Sequence, residues 1–150
     1  MQSRPGSFDP SITRAAAEAL ADDLAAHSGE PREVIIAALI RAMDVDDDAE
    51  AVESNLETEG WRLDEKQRAV VKRAWSERLH AHTEAVEQWV IAVSPRPIFA
   101  VGDGIQGVCE IPRRHAAGPI LRIVAKWAQY VVDSAGRERS INFEDARPFP

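Results

Sequence analysis

The sequence predicts an α+β protein, with three or four helices in a bundle followed by five short strands. Two observations carry the prediction. From Asp9 to Val93 apolar residues recur every three or four positions, the period of a helix with one buried face. Beyond Ser94-Pro95-Arg96-Pro97 that period is lost, and β-branched and aromatic residues punctuated by Gly and Pro take over. With 150 residues, 45% hydrophobic and 29% charged, the chain is long enough to bury a core.

Residues 1–8 read as a loose leader. Asp9-Pro10 is an N-cap with proline at the first helical position, and a helix follows over about 10–27 with Ile12, Ala16, Leu20 and Leu24 on one stripe. Ser28-Gly29 ends it. A second helix over about 31–43 carries Val34, Ile35, Ile36, Leu39, Ile40 and Met43 around more than half its surface, which marks it as the central, buried one. A third, over about 47–58, has Val45, Ala49, Val52 and Leu56 on one side and is acidic on the other; Gly60 stops it. Asp64 caps a long fourth helix over about 64–93, along which Trp75, Leu79, His82, Val86, Trp89 and Val93 form a heptad-like seam. Two prolines at 95 and 97 forbid its continuation. The chain thus divides into an acidic helical region, 1–94, and a β-module, 98–150, and the short connection predicts that they pack together through Trp61, Trp75, Trp89, Ile98 and Phe99.

The expected strands are Ile98–Val101, Ile105–Ile111, Ile120–Val124, Trp127–Val132 and Glu138–Phe143, with turn chemistry at Asp133-Ser134-Ala135-Gly136. Phe99-Ala-Val-Gly-Asp103, then Gly118-Pro-Ile-Leu-Arg-Ile123, then Trp127 through Gly136, then Glu144-Asp145 before Pro148, resemble the SH3-like small barrels of bacterial proteins. In that family a Val-Gly-Asp opens the first strand, a glycine-led strand follows, and a strand ending in Asp runs into a glycine turn. The resemblance covers about a third of the chain and implies a five-stranded SH3-like barrel, a fold that binds peptides or nucleic acid in some relatives and is structural in others. Fold alone assigns no function.

The formal charge of −7 is unevenly placed: residues 1–97 carry 11 Lys/Arg and 19 Asp/Glu, a balance of −8, while residues 98–150 carry 7 and 6, a balance of +1. An acidic surface opposes bulk phosphate binding and favours a basic protein partner or simple solubility. Without a signal-like start or an apolar run of membrane-spanning length, the expected location is the cytoplasm, with no membrane contact. Arginine-rich, lysine-poor usage is what GC-rich bacterial genomes produce. Cys109 is the sole cysteine, so no intramolecular disulfide forms, and its apolar neighbours predict a buried thiol.

Motifs that carry chemistry fail on inspection. Gly102-Asp-Gly104-Ile-Gln-Gly107 spells a dinucleotide fingerprint, but a proline-stopped extended run follows where a helix is required. Asp44, Asp46, Asp48 and Glu50 have the spacing of calcium-loop ligands, but Ala49 stands where the turn needs glycine and Asn55 where a bidentate glutamate belongs. His80 and His82 point to opposite sides of their helix and cannot share a metal. No nucleophile elbow or phosphate loop is present, so no enzyme, cofactor or metal is expected.

Two charged surfaces remain. The first is the stretch from Asp44 to Glu59, with eight carboxylates in sixteen residues; Asp44, Asp46, Asp47, Asp48, Glu50 and Glu53 are its docking candidates for a basic partner. The second is the basic set Arg113, Arg114, His115, Lys126, Arg137 and Arg139, interleaved with Trp127, Tyr130 and Phe143, which would contact a partner or stack single-stranded nucleic acid. The leading expectation is a non-enzymatic protein–protein interaction or adaptor protein. The alternatives are a nucleic-acid-associated accessory protein, and an acidic inhibitor of a nucleic-acid-binding complex of mobile-element type.

Overall fold

The computed structural model describes residues 2–43, 49–109 and 113–150. Asp44, Asp46, Asp47 and Asp48 therefore lie outside the described residues. The fold is α+β, helices first and an antiparallel sheet after them. The chain divides into two compact units, one formed by Ser3–Ala85 and one by Val86–Pro150. The described helices are α1 (Pro10–Ser28), α2 (Arg32–Met43), α3 (Ala49–Thr58), α4 (Glu65–Val71) and α5 (Ala74–Val93). None is long and apolar enough to cross a membrane.

In the helical unit, α1 begins at Asp9 with Pro10 inside its first turn and ends at Gly29 in the left-handed conformation, where a side chain would be strained. Of its stripe, Ala16, Leu20 and Leu24 are buried in one cluster with Ile35, Ile36, Leu39 and Met43 of α2, and Ile12 is buried outside that cluster. The apolar surface of α2 is wider than the core it meets: Val34 is left exposed. Val52 and Leu56 of α3 close the cluster, and Asn55 Nδ2 donates to the Ala42 carbonyl at 3.0 Å, filling one of the open acceptors at the end of α2. A capping box starts α4: Asp64 Oδ1 accepts from the Gln67 amide, and Gln67 Oε1 accepts from the Asp64 amide, both at 2.8 Å.

The long fourth helix is in fact two, α4 and α5. At Lys72-Arg73 the chain tightens: the Arg73 amide bonds the Val70 carbonyl, three residues back, and the helical ladder restarts at Ala74. The leader is not loose. The His82 ring nitrogen Nε2 lies 3.2 Å from the Pro5 carbonyl, and Arg78 Nη1 donates to the Ser7 carbonyl at 3.1 Å. Arg78 is the least expected core residue, only 1% exposed; it also donates to Thr13 Oγ1 and to the Met43 carbonyl at the end of α2.

The sheet unit contains β1 (Gly104–Cys109), β2 (Arg114–Val124), β3 (Gln129–Ser134), β4 (Arg137–Asn142) and β5 (Arg147–Pro148), in the order β4-β3-β2-β1-β5, all pairs antiparallel. β2 serves two partners, pairing β1 through Arg114–Pro119 and β3 through Ile120–Val124, with an irregularity at Leu121. The sheet does not close into a barrel: β4 and β5 are its edges, and β5 is two residues long with a proline that has no N–H to donate. The expected strand Ile98–Val101 is not a strand. The Tyr130 hydroxyl accepts from the Ile98 and Phe99 amides, at 2.8 and 3.2 Å, and Asp103 Oδ2 accepts from Ala100, folding the segment into a turn. Residues 125–127 and 143–145, expected inside strands at Trp127 and Phe143, are single 3₁₀ turns. Ile105, Ile120, Tyr130, Val132 and Ile141 form the core, with Trp89 buried in it and Phe99 packed against it; Ile98 is 77% exposed and joins no core. In the helical unit Trp61 packs on the helical cluster.

Candidate functional site

The sheet register decides which of the basic residues meet. β4 runs parallel to β2 with β3 between them, and the registers set Arg139 level with Ile120 and Arg137 near Gly118, in the middle of β2; it is through Cys109, which lies near Arg139 and Ser140, that β4 comes close to Arg114. Arg114 is the cross-strand partner of Cys109, whose side chain is buried in the core. Partners across an antiparallel pair share a face, so Arg114 takes a core-side position where the core runs out. Arg139 opposes buried Val132, and Arg137 opposes Ser134, on the same side of β4. Ser134 Oγ accepts from the Ala117 amide, which ties the start of β4's hairpin to the first half of β2. Arg113 precedes β2 directly, and His115 follows Arg114 on the opposite face, across from Val108. The result is an arginine end: Arg113, Arg114 and Arg137 exposed, Arg139 half-buried. None of these four makes an ion pair among the described residues, whereas Arg122, farther along β2, is held by a two-pronged pair with Glu138 at 2.8 and 2.7 Å.

Cys109 lies at the foot of this cluster. Burial pushes its thiol up, and the nearby Arg139 charge and a hydrogen bond from the Ser140 backbone only partly oppose the shift. Its side chain packs in the core of the unit.

Lys126 does not belong to the cluster. It sits in the 3₁₀ turn past the far end of the eleven-residue β2, with its ammonium 4.2 Å from the Trp127 ring centroid and 3.9 Å from Glu87 Oε1. Trp127 donates its indole N–H to the same Glu87 carboxylate at 2.9 Å. Of the three aromatics expected to interleave with the bases, Trp127 alone lies beside one, Lys126. Tyr130 and Phe143 are buried, their rings 4.6 Å apart, and Phe99 meets Tyr130 edge-on. These aromatics fill the unit's interior and offer no stacking face beside the arginines.

Of the described acidic residues, Glu53, Glu57 and Glu59 are paired with arginines. Arg68 of α4 takes both Glu53, at 2.7 Å, and Glu57, at 2.9 Å. Arg41 grips Glu59 with two bonds of 3.1 and 2.8 Å, and this hydrogen-bonded pair holds the Glu59 carboxyl below its ordinary range. Glu50 is exposed at the first turn of α3, where its charge suits the helix dipole. A polar groove of about 460 Å³ runs beside Glu30, Glu59, Trp61 and Asp64, but Glu59 is committed to Arg41 and Asp64 to its own cap. Among the described residues no three histidine, cysteine or carboxylate groups converge on a possible metal position. The fingerprint glycines Gly104 and Gly107 lie inside β1, paired to β2, which is the next described element.

Sequence reasoning missed Arg78, because an arginine on a helix reads as exposed. Its spacing from Val71 and Ala74 on the same buried row was the available signal. No protein-family model, curated protein or solved structure matches the chain.

Proposed function

We propose that this chain is a non-enzymatic interaction protein, an adaptor that docks an acidic segment of a protein partner on the arginine end of its sheet unit. The observation that carries this reading is the placement of Arg114 across from Cys109 and of Arg139 near the same residue, with Arg113 and Arg137 beside them in the chain, all without ion-pair partners among the described residues. Arginine presents a planar fork of donors that matches a carboxylate with two bonds at once, and leaving three such groups exposed and a fourth half-buried without a carboxylate gains the fold nothing.

An SH3-like reading of the unit is supported by the strand order β4-β3-β2-β1-β5, by the sharing of β2 between two partners and by the single 3₁₀ turn just before β5. In this reading Arg113 and Arg114 follow the first loop and Arg137 follows the turn between β3 and β4. The acidic stretch is the weaker docking face, since Glu53 is already taken by Arg68. We place the protein in the cytoplasm on the same reading.

The test is affinity capture from lysate of the source organism, with and without nuclease, followed by titration of the captured protein against purified chain. Three baits are compared: wild type, the triple variant Arg113→Ser, Arg114→Ser, Arg137→Ser, and the triple variant Asp46→Asn, Asp47→Asn, Asp48→Asn. The expected partner survives nuclease, is retained by the aspartate variant and is lost by the arginine variant. Capture that vanishes with nuclease turns the reading to nucleic acid. Loss with the aspartate variant alone moves the docking face to the helical unit.

A further inference from the structure

We infer that the groove between the α1–α2 and α3–α4 connections of the helical unit binds a free amino acid, with Arg62 and the Gln67 side-chain amide on the ligand's carboxylate and Glu30 on its ammonium. The inference is independent of the arginine end. It starts from a buried donor. Gln67 is 5% exposed, and its Oε1 accepts from the Asp64 amide at 2.8 Å. Its Nε2 carries two protons and has no hydrogen-bond partner among the described residues. Gln67 lines the groove, so the side-chain amide that the capping box fixes through its oxygen opens into the groove through its nitrogen. Polar groups buried this far are as a rule hydrogen-bonded, and here the acceptor has to come from a ligand.

The groove is formed in advance by the chain that lines it. α3 ends in a Schellman-type turn: the Gly60 amide bonds the Glu57 carbonyl at 3.0 Å, and the Trp61 amide bonds the Leu56 carbonyl at 3.1 Å. Leu63 is then buried in the helical cluster, and the capping box starts α4 at Asp64. Trp61 and Arg62 are therefore presented by a segment pinned on both sides, which lowers the ordering cost of binding. In the α1–α2 connection, Ser28 Oγ accepts from the Glu30 amide at 3.2 Å and fixes the backbone that carries Glu30.

What the groove can hold follows from which of its groups are already used. Glu59 is held by Arg41, and Asp64 Oδ1 by the Gln67 backbone amide. Arg62, Glu30 and His27 form no ion pair among the described residues, and the Trp61 indole N–H has no acceptor there. The free groups are of both signs. A guanidinium fork and the neutral donors of Gln67 and Trp61 suit a carboxylate, and Glu30 suits an ammonium. A simple anion would meet Glu30 and Asp64, and a simple cation would leave the Gln67 donor without an acceptor. A zwitterion satisfies both ends. The groove volume of about 460 Å³ is in the range of small-molecule sites. The apolar pocket beneath it, beside Leu24, Leu39 and Trp61, measures about 10 Å³ and has no room for a side chain. Recognition is therefore of the ligand's charged ends.

The experiment titrates the full-length chain calorimetrically with each of the common amino acids. At least one is expected to saturate it with a Kd in the millimolar range or below. The N-acetylated and carboxamide derivatives of that amino acid, each lacking one charged end, are expected to bind about tenfold more weakly or worse. Gln67→Glu is the deciding variant. Its carboxylate still accepts from the Asp64 amide, so the capping box and the urea midpoint are kept. The donor becomes a negative charge facing the ligand's carboxylate, and affinity should fall by about tenfold or more. Arg62→Gln and Glu30→Gln, at exposed positions, should each weaken binding with the fold unchanged. Absence of binding by every amino acid overturns the inference. So does a derivative that binds as tightly as its parent, or a folded Gln67→Glu chain of undiminished affinity. Should Gln67→Glu fail to fold, Arg62→Gln decides, and undiminished affinity in that variant overturns the inference.

Discussion

Arg78 and Cys109 show how far a residue's type can mislead or inform. Burying a guanidinium is tolerated only because carbonyls and a hydroxyl receive its protons. Arg78→Met keeps much of the apolar stem but strands those acceptors, so the midpoint of urea unfolding should fall by the equivalent of about 2–4 kcal/mol. Arg78→Lys, which cannot fork to three acceptors, should recover less than half of it. Cys109 is the opposite case, since its apolar context was readable and the structure buries it. Its thiol pKa is raised in the fold, so stability tied to the thiol is full below the unfolded cysteine pKa and is lost as pH rises through the higher folded value. Iodoacetamide at pH 8 should therefore leave the native chain almost unlabelled and modify it fully in guanidinium; rapid native labelling would mean that the thiol is open to solvent.

Elements were legible where periodicity is strong and illegible where a single side chain overrules propensity. α1 and α2 could be read almost to the residue because capping residues and a buried stripe agree. The turn between α4 and α5 could not, because Lys72 and Arg73 are good helix formers and only a three-residue hydrogen bond marks the break. Ile98–Val101 has strand propensity, but the Tyr130 hydroxyl collects two of its amides; Tyr130→Phe should cost about 1–2 kcal/mol by leaving them unpaired, read as a lowered thermal midpoint. β2 begins earlier than its apolar run, since Arg114 and His115 pair with Cys109 and Val108 despite reading as loop. Glycines in this unit separate into two kinds. At Gly118 a Cβ would run into the Asp133 carbonyl, so Gly118→Ala should destabilise by about 2–3 kcal/mol, the scale of an overpacked core. At Gly136, left-handed but with open space around it, alanine should cost only about 1 kcal/mol. Urea midpoints that rank the two variants the other way would contradict the packing described for β2 and β3.

At the scale of the molecule, the candidate site was half legible. Composition showed that residues 98–150 escape the acidity of the rest, at +1 against −8, but which of their basic residues meet depends on strand direction, which no local pattern carries: Lys126 is near Arg122 in sequence, yet lies past the opposite end of β2 from Arg114. The charge balance then bears on what the arginine end can hold. A chain of net charge −7 repels a long polyanion at a distance, while four arginines attract a compact acid at contact. If phosphates were the intended ligand, binding of a single-stranded oligonucleotide would release about one counterion per phosphate neutralised, and four arginines limit the slope of log affinity against log salt to about −3. The expected result is weaker binding than to the captured protein at physiological salt, with a slope no steeper than that and no change on replacing Lys126 by serine. A slope well beyond −3, or tight binding that depends on Lys126, would show a phosphate-tracking surface running from one end of β2 to the other, and the acidic-segment reading would give way to it.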